Sequence, residues 1–360
     1  MHDFLRSSRH SAASGPGTAH GVPAPPTRIL GLLAIGYPLL LVGSTLALHL
    51  VGERWWLTTI ALYLPRWPLI LPLPFLTVAL VARGRPVLLA IQLAALLVWL
   101  FPLAGLHLGM KQTATPGRRA LRVLTMNIHS LVASSDIAAE VRRSHSDLIL
   151  FQEAAGQTEA WWKREFPSYE WRVGGEFVFG SRYEIAEHTT PPPSAYGASD
   201  GTRRYVRYRV VLPGTELYVY NVHAPSPSRV FEHLGRGIES GPLTSSWPGR
   251  RAELQANALH RRELLEAIGS DARASARPAI IAGDTNVPDP SFVLTDAFRG
   301  YGDAFSTVGR GFGYTFPVGR SGPWLRIDRV FVSASVRSID SRVTGASSSD
   351  HLGLIADLEL

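Results

Sequence analysis

Asp284 and Asn286 stand two positions apart in the stretch Ile280–Asn286, which reads Ile-Ile-Ala-Gly-Asp-Thr-Asn. The β-branched residues predict a short buried strand, and Gly283 allows the backbone to bend where the strand ends. Residues i and i+2 of an extended chain point to the same side. The carboxylate could therefore accept a proton from water, beside a carboxamide that donates hydrogen bonds to an oxyanion. A strand followed by an Asx-rich turn would explain the same residues. Polar residues elsewhere in the chain are therefore needed to distinguish a functional site from a turn.

An apolar run that ends in groups able to bind metal or phosphate recurs at five other places in the chain. Each place has a structural explanation when it is taken alone. Glu153 could cap the following helix, His223 could be a buried core histidine, and Asp328 could pair with Arg326 or Arg329. The polar residues at these places are Asn127, Glu153, Asn221 with His223, Asp328, and Asp350 with His351.

Short strands and helices would have to bring these polar groups together. Apolar runs predict strands over Leu121–Met126, Asp147–Phe151 and Glu216–Val222, each followed closely by one of the polar groups. Arg250–Ile268 has apolar residues at helical spacing and predicts the main helix of this region. Helices interspersed among closely spaced strands indicate a layered α/β domain.

Three motifs in this order resemble the endonuclease/exonuclease/phosphatase superfamily, which has the fold of DNase I. They are Gly-Asp-Thr-Asn at 283–286, Arg-Ile-Asp-Arg-Val-Phe-Val at 326–332 and Ser-Asp-His at 349–351. The resemblance covers residues 121–360. It implies a four-layer α/β/β/α sandwich, with two sheets face to face and helices outside. It also implies an enzyme that hydrolyses phosphoric esters.

The resemblance also implies a divalent metal, usually Mg²⁺, with Mn²⁺ as an alternative. Glu153 matches the metal-binding glutamate, Asn127 matches the asparagine beside it, and Asp350 lies at the metal side of the site. A hard cation of this kind prefers oxygen ligands and can bridge to a substrate phosphate.

The remaining matched residues would act on the phosphate ester itself. Asp284 matches the residue that orients or deprotonates the attacking water, and Asn286 matches the residue that contacts the phosphoryl group. His351 matches the histidine that stabilises negative charge on the phosphate. Asp328 matches the aspartate that orients a catalytic histidine.

Four further positions bear on the resemblance. Asn221 and His223 fit the Asn-x-His form of the phosphodiesterase branches, so both are expected to contact substrate, with His223 also catalytic. Thr285 stands where phenylalanine is frequent, which should affect packing more than chemistry. Glu184 takes the place of proline in the family's Ser-Arg-Tyr-Pro-Ile turn, which leaves the conformation of that loop open.

The N-terminal part of the chain has a different composition. Residues 1–28 are rich in Ser, Gly, Pro and Ala and predict a disordered tail. Apolar segments at 29–51, 57–82 and 86–108 predict about three transmembrane helices, although buried core helices are an alternative. Arg66 interrupts the middle segment, which favours a short interfacial piece followed by a short span. Residues 109–120 predict a linker to the catalytic domain, 121–360.

Basic residues predict how the spans are oriented. Arg6, Arg9 and Arg28 precede the first span, and Arg83 and Arg85 lie between the second and the third. The positive-inside rule puts both places in the cytoplasm. An odd number of spans then places the catalytic domain outside the cytoplasm, as a multi-pass protein of the cell membrane.

Charge and cysteine content restrict the partners. The net charge of +7 is concentrated in residues 1–112, which hold eight Lys/Arg and two Asp/Glu, against 28 and 27 in residues 113–360. A nearly neutral catalytic domain disfavours nucleic acid as a partner. The sequence has no cysteine, which excludes disulfides and Cys-ligated zinc but leaves the compartment open.

Three short N-terminal spans followed by this domain resemble the bacterial membrane-anchored branch that includes teicoplanin-resistance proteins. That resemblance implies a membrane-anchored phosphatase or phosphodiesterase that acts outside the cytoplasm on a lipid-linked phosphate such as undecaprenyl pyrophosphate. The alternatives are a membrane-tethered nuclease and a catalytically silent binding module. The nearly neutral domain disfavours a nuclease, and the full set of polar residues disfavours a silent binding module. The oligomeric state stays open.

Overall fold

The computed structural model describes residues 27–130, 135–192, 204–228, 247–319, 322–345 and 348–360. The tail predicted over residues 1–28 lies almost entirely outside the described residues. The same holds for most of the long loop between residues 224 and 247.

The N-terminal part is helical and strongly apolar. Arg28–Arg54 and Pro86–Leu103 are long and apolar enough to cross a membrane, whereas Trp56–Tyr63 and Trp67–Val81 qualify only as a pair, bent by 86°. The structure thus has two or three candidate spans. Its helices are α1 (Thr27–Leu46), α2 (Trp56–Tyr63), α3 (Pro72–Val81) and α4 (Pro86–Val98), with π or 3-10 turns at Ala47–Val51, Gly52–Arg54, Trp67–Ile70 and Trp99–Leu103.

The third predicted span is too long at its C-terminal end. Helical structure stops at Leu103, not at Leu108, and His107–Leu108 forms a strand instead. Gly105 ends the helix: its φ of 75° is left-handed and its N–H donates to the carbonyl of Phe101 at 3.0 Å, as is common at helix C-termini.

The predicted linker, residues 109–120, lies along the catalytic domain and is bonded to it. The backbone N–H of Gly109 donates to the carbonyl of Gly309 at 2.9 Å, and that of Gln112 donates to the carbonyl of Ile339 at 2.8 Å. The chain therefore passes from the apolar helices onto the catalytic domain without a free tether.

Among the described residues, the part of the chain after the apolar helices contains the strands and five further helices. The strands are β1 (His107–Leu108), β2 (Ala120–Asn127), β3 (Leu148–Gln152), β4 (Glu170–Gly174), β5 (Phe177–Ser181), β6 (Glu184–Thr189), β7 (Tyr205–Leu212), β8 (Thr215–His223), β9 (Ala279–Asp284), β10 (Tyr301–Asp303), β11 (Arg310–Gly311), β12 (Asp328–Ser333), β13 (Arg337–Val343) and β14 (Leu354–Glu359). The helices are α5 (Ser135–Ser144), α6 (Glu159–Glu165), α7 (Trp247–Ala274), α8 (Val293–Ala297) and α9 (Ala304–Val308).

Two six-stranded sheets form the centre of the domain. The first has the order β13-β14-β2-β3-β5-β4 and the second the order β10-β12-β9-β8-β7-β6, while β1 pairs only with β11. Apolar side chains of both sheets meet in one core, which includes Val123 and Leu150 from the first sheet and Val219 and Ile280 from the second. Such burial of apolar area is the main favourable term in folding.

Helices cover the outer face of each sheet. Helices α5 and α6 pack on the first sheet around Trp162, and α7 and α8 pack on the second around Leu265 and Ile268. The predicted four-layer α/β/β/α sandwich is confirmed.

Strand pairing brings the predicted site residues to one end of the sandwich. Strands β2 and β3 are parallel, with Asn127 opposite Gln152, and β8 and β9 are parallel, with His223 opposite Asp284. Strand β12 is antiparallel to β9, and its first residue, Asp328, also lies opposite Asp284. Polar groups from several strands therefore meet at the carboxyl ends of the parallel strands.

Candidate active site

Asp284 is the central carboxylate of this site. It ends β9 and is only 1% exposed, and its Oδ1 accepts a hydrogen bond from the backbone N–H of Asn286 at 2.8 Å. Its Oδ2 accepts from the side-chain amides of Asn127 and Asn286, each at 3.2 Å. Burial raises the pKa of Asp284 to about 6, although the charges of His351 and His223 oppose this. The carboxylate is thus held in place and is basic enough to accept a proton near neutral pH.

His351 lies on one side of Asp284 and is oriented by Asp328. The Nδ1 atom of His351 is 2.9 Å from Oδ2 of Asp328, and its Nε2 is 3.8 Å from Oδ2 of Asp284. Burial alone would lower the pKa of His351, but the charge of Asp328 and its hydrogen bond raise it to about 9. The ring is therefore a cation at neutral pH, with its Nε2–H available to an anion.

His223 lies on the other side of Asp284 and is oriented by Glu176. The Nδ1 atom of His223 is 3.0 Å from Oε2 of Glu176, and its Nε2 is 3.9 Å from Oδ2 of Asp284. Burial lowers the pKa of His223, but the hydrogen bond and charge of Glu176 outweigh it, so the pKa is raised. The sequence does not indicate the role of Glu176, because an acidic residue after Gly175 in a tight turn between strands is usually exposed to solvent.

Two imidazoles therefore flank one carboxylate oxygen at distances too long for direct hydrogen bonds. Within the described residues, Nε2 of His223 has no hydrogen-bond partner although it is buried. A buried donor without a partner is unfavourable unless a ligand or water satisfies it. Nε2 of His223 also lies 3.6 Å from Oε1 of Glu153. Two N–H donors this close to the carboxylates could hold an anion, with a water molecule beside Asp284.

Glu153 and Asp350 form a second, more exposed edge of the site. Nδ1 of His129 lies 3.5 Å from Oε2 of Glu153 and 3.5 Å from Oδ1 of Asp350, so one imidazole lies close to both carboxylates. Their side chains are 32% and 37% exposed. These carboxylates and the amide oxygen of Asn127 are oxygen ligands, which suit a hard divalent ion. The residues present therefore fit the metal that the resemblance implies.

Asn127 connects this edge to Asp284. Its Nδ2 donates to Oε1 of Glu153 at 2.9 Å, in addition to its bond with Asp284, and its Oδ1 accepts from the backbone N–H of His129 at 3.0 Å. Glu153 itself has a positive φ of 50°, a conformation that strains a residue with a side chain and is found most often at functional sites. The strain places the Glu153 carboxylate beyond the end of β3.

Another group of potential metal ligands is Asp284, Asp328 and His351, whose ligand atoms lie within 4.8 Å of one another. Asp328 already accepts a hydrogen bond from His351, and all three side chains are buried. A histidine with its orienting aspartate describes this group better than a metal site, because binding a metal at Nδ1 would break that bond.

Asn221 does not line the space between the two histidines. It is 0% exposed, and its Nδ2 donates to the backbone carbonyls of Phe151 at 3.1 Å and Val178 at 3.3 Å. Its Oδ1 accepts from Nε2 of Gln152 at 2.6 Å. The side chain links the two sheets, which departs from the substrate-binding role expected for it. The period-2 pattern puts Asn221 and His223 on one face, but only His223 reaches the strand end.

Solved structures similar to this chain come from several organisms. An endonuclease/exonuclease/phosphatase from Beutenbergia cavernae is 19% identical, with a TM-score of 0.47, and the match covers 68% of this chain and 72% of that one. TDP2 from D. rerio, complexed with a single-strand DNA product, is 16% identical, with a TM-score of 0.48 and coverages of 67% and 99%. A mannosyl-6-phosphatase from Bacteroides thetaiotaomicron is 17% identical, with a TM-score of 0.44 and coverages of 66% and 99%.

No curated protein matches the chain. A protein-family model does match it. The model of the Endonuclease/Exonuclease/phosphatase family matches residues 124–351, which is more than half of the chain and spans the site from β2 to His351. This protein belongs to the Endonuclease/Exonuclease/phosphatase family, whose members hydrolyse phosphoester bonds.

Proposed function

We propose that this protein is a membrane-anchored, metal-dependent phosphatase or phosphodiesterase that acts on a phosphate carried by a lipid. The observation that carries the chemical part is the position of Asp284 Oδ2 between Nε2 of His351 at 3.8 Å and Nε2 of His223 at 3.9 Å. A fixed base close to two hydrogen-bond donors can position water for attack on a phosphate while the donors stabilise the charge on the phosphoryl oxygens.

Each residue then has a defined task. Asp284 accepts the proton of the attacking water, and its raised pKa of about 6 leaves it ionised yet basic at neutral pH. His351 and His223 donate from Nε2 to phosphoryl oxygens. Asn286 holds Asp284 through its backbone N–H and its side chain. Asp328 and Glu176 keep the two rings in place.

The metal would be held at the more exposed edge. Glu153 and Asp350 would bind it, and Asn127 would hold Glu153 and contribute its amide oxygen. We propose Mg²⁺, with Mn²⁺ as the alternative, because both are hard cations that suit carboxylate oxygens. When bound, such a cation neutralises charge on the phosphate and helps to orient it.

The exposed apolar surface supports a membrane location. Among the described residues, every exposed large hydrophobic side chain except Leu259 lies between Ile29 and Met110, including Leu32 at 72% and Phe75 at 75% exposure. A surface of this kind is stable in lipid and unfavourable in water. Together with the basic residues before the first span and after the second, it supports a catalytic domain outside the cytoplasm.

A membrane-held active site favours a substrate that is itself held in the membrane. Anchoring raises the effective concentration of a lipid-borne phosphate without any new contact. We therefore propose a lipid-linked phosphate, such as undecaprenyl pyrophosphate, as the substrate class.

The test is a substrate panel for the full-length protein in lipid nanodiscs with Mg²⁺. The panel compares a polyprenyl pyrophosphate, sphingomyelin, an inositol phosphate and plasmid DNA, and the Asp284→Asn variant controls for contaminating hydrolases. We expect Mg²⁺-dependent hydrolysis of the polyprenyl pyrophosphate that the variant lacks. Cleavage of plasmid DNA alone would establish the nuclease alternative, and no hydrolysis of any substrate would contradict an enzymatic function.

A further inference from the structure

Residues 52–66, which run from the end of the first candidate span through the first helix of the bent pair, pack against the catalytic domain. We call this segment the connector. Glu53 lies in it and is 7% exposed, and its partner Arg261 in α7 is 0% exposed. Oε1 of Glu53 accepts from Nη2 of Arg261 at 2.7 Å and from Nε at 3.2 Å, and Oε2 accepts from the hydroxyl of Ser291 at 3.0 Å. Because it is fully hydrogen-bonded, this buried ion pair fixes one docking position for the connector.

The same arginine contacts the loop that follows His223. Nη1 of Arg261 donates to the backbone carbonyl of Pro225 at 2.9 Å and to Oδ1 of Asn257 at 2.7 Å. The backbone of Ala224, between His223 and Pro225, donates to the carbonyl of Asp284 at 2.9 Å. The Glu53–Arg261 pair thus ties the connector to the ends of β8 and β9.

Tyr63, at the other end of the connector, reaches the catalytic loop directly. Its hydroxyl donates to the backbone carbonyl of Asn286 at 2.6 Å, and its own carbonyl accepts from Nε1 of Trp324 at 3.1 Å. Arg66 donates from Nη2 to the carbonyl of Asp289 at 3.3 Å. The connector therefore packs against the loop that follows Asp284.

Asn286 needs such support because its backbone is strained. Its φ of 50° lies in the left-handed region, which asparagine tolerates better than most residues but which still costs free energy. Its N–H donates to Asp284, and its side-chain amide donates to the carbonyl of Ala224 at 2.9 Å and to Asp284. The hydrogen bond from Tyr63 secures the carbonyl on the other side of the residue.

We infer that Tyr63 is a positioning residue of the active site and that the connector is part of the catalytic unit. By fixing the Asn286 carbonyl, the Tyr63 hydroxyl keeps two hydrogen-bond donors aimed at Asp284. The kinetic test of this inference rests on the proposed function, whereas the hydrogen-exchange test does not. The inference also implies that the site is held at one orientation relative to the apolar helices, so that its substrate is presented from the bilayer surface.

The test compares Tyr63→Phe with Tyr37→Phe in full-length protein in nanodiscs. Tyr37 is the matched control because its hydroxyl makes the same kind of bond, to the carbonyl of Leu69 at 3.0 Å, within the helical region. The first readout is hydrogen exchange at the amides of residues 284–287. We expect these amides to exchange faster in Tyr63→Phe than in the wild type, and to exchange at the wild-type rate in Tyr37→Phe.

The second readout is the kinetics with a water-soluble chromogenic phosphodiester. We expect Tyr63→Phe to lower kcat about tenfold with little change in KM, since one buried hydrogen bond that positions the base is lost. In an Asn286→Ala background, Tyr63→Phe should add little further loss, because Tyr63 acts through Asn286. A merely structural tyrosine would lower activity equally in both backgrounds.

The outcomes separate this inference from the proposed function. Unchanged exchange in the 284–287 loop of Tyr63→Phe overturns the positioning role, whatever the activity. A wild-type protein that hydrolyses no phosphoric ester overturns the proposed function, while the exchange experiment still decides whether Tyr63 positions the loop. Active Tyr63→Phe protein with wild-type kcat also overturns the inference.

Discussion

Asp328, the first residue of β12, accepts a hydrogen bond of 2.9 Å from Nδ1 of His351, 23 positions later in the chain. Asp328 belongs to one sheet and His351 precedes β14 of the other by three residues, so this bond joins the two halves of the sandwich at the site. It points the opposite ring nitrogen at the Asp284 carboxylate and, despite burial, raises the pKa of His351 to about 9.

The first prediction follows from this pair and concerns the pH dependence of activity. His351 carries its charge below a pH of about 9, so wild-type activity should fall as the pH rises through that value. Asp328→Asn removes the charge that raises this pKa, so the alkaline limb of the kcat/KM profile should move to lower pH. Asp340→Asn, in β13 and outside the site, is the control. An alkaline limb that stays in place in Asp328→Asn would remove His351 from the charged role.

The second prediction concerns the metal. Glu153→Gln replaces a carboxylate with a neutral amide, which is a poor ligand for a hard cation, so the Mg²⁺ concentration for half-maximal activity should rise by roughly tenfold or more. Titration calorimetry with Mg²⁺ gives the same comparison without activity. Glu165→Gln, which alters a surface ion pair with Arg142, should leave Mg²⁺ binding unchanged. Full wild-type activity after exhaustive chelation would contradict the metal site.

The third prediction concerns acid stability. Arg326 and Arg329, 3% and 1% exposed, share the carboxylates of Asp289 and Asp303, which are 33% and 11% exposed. Burial would raise the pKa values of both acids, but the two guanidiniums hold them below the usual carboxyl range. The stabilisation is therefore complete above the ordinary carboxyl pKa of about 4 and is lost as the pH falls below it.

Asp303→Asn should lower the free energy of unfolding by about 3 kcal/mol, because it leaves two buried arginines with the single, partly exposed carboxylate of Asp289. Thermal unfolding measured at several pH values should show a smaller loss on acidification in the variant than in the wild type. Asp296→Asn, in an exposed ion pair with Arg299, is the control and should change little. Equal acid sensitivity of wild type and Asp303→Asn would contradict this origin.

The fourth prediction concerns topology. If the chain crosses the membrane three times from a cytoplasmic N-terminus, Leu360 lies outside the cytoplasm. A reporter that is active only outside the cytoplasm, fused at Leu360, should be on, and a reporter that is active only inside should be off. The reverse pattern would mean that the number of spans or their orientation is wrong, which would remove the outer-surface substrate as well.

The strands and most site residues could be predicted because each site residue follows a clear local signal. Asn127, Glu153, His223 and Asp284 stand at or just beyond the ends of apolar runs, and those runs are strands in the structure. Glu176 could not be predicted in this way, because its role depends on a hairpin turn that reaches across to His223.

The contacts of the connector also lay beyond sequence reasoning. Tyr63 and Asn286 are 223 positions apart, and Glu53 and Arg261 are 208 apart, so no local pattern links them. In the sequence, Glu53 is only one of two acidic residues in the first 112 positions. Arg66 interrupts an apolar segment in the sequence, whereas in the structure it lies buried and donates to the carbonyls of Ala61, Leu62 and Leu64.

The most direct measurement is the rate of phosphate release from a polyprenyl pyrophosphate by wild-type protein and by Asp284→Asn, in nanodiscs at saturating Mg²⁺. The variant keeps the shape of the side chain but cannot accept a proton from water, so kcat should fall on the order of 10²-fold or more. Thermal unfolding near the wild-type temperature would show that the variant is folded. Equal rates in two folded proteins would contradict the assignment of Asp284 as the base.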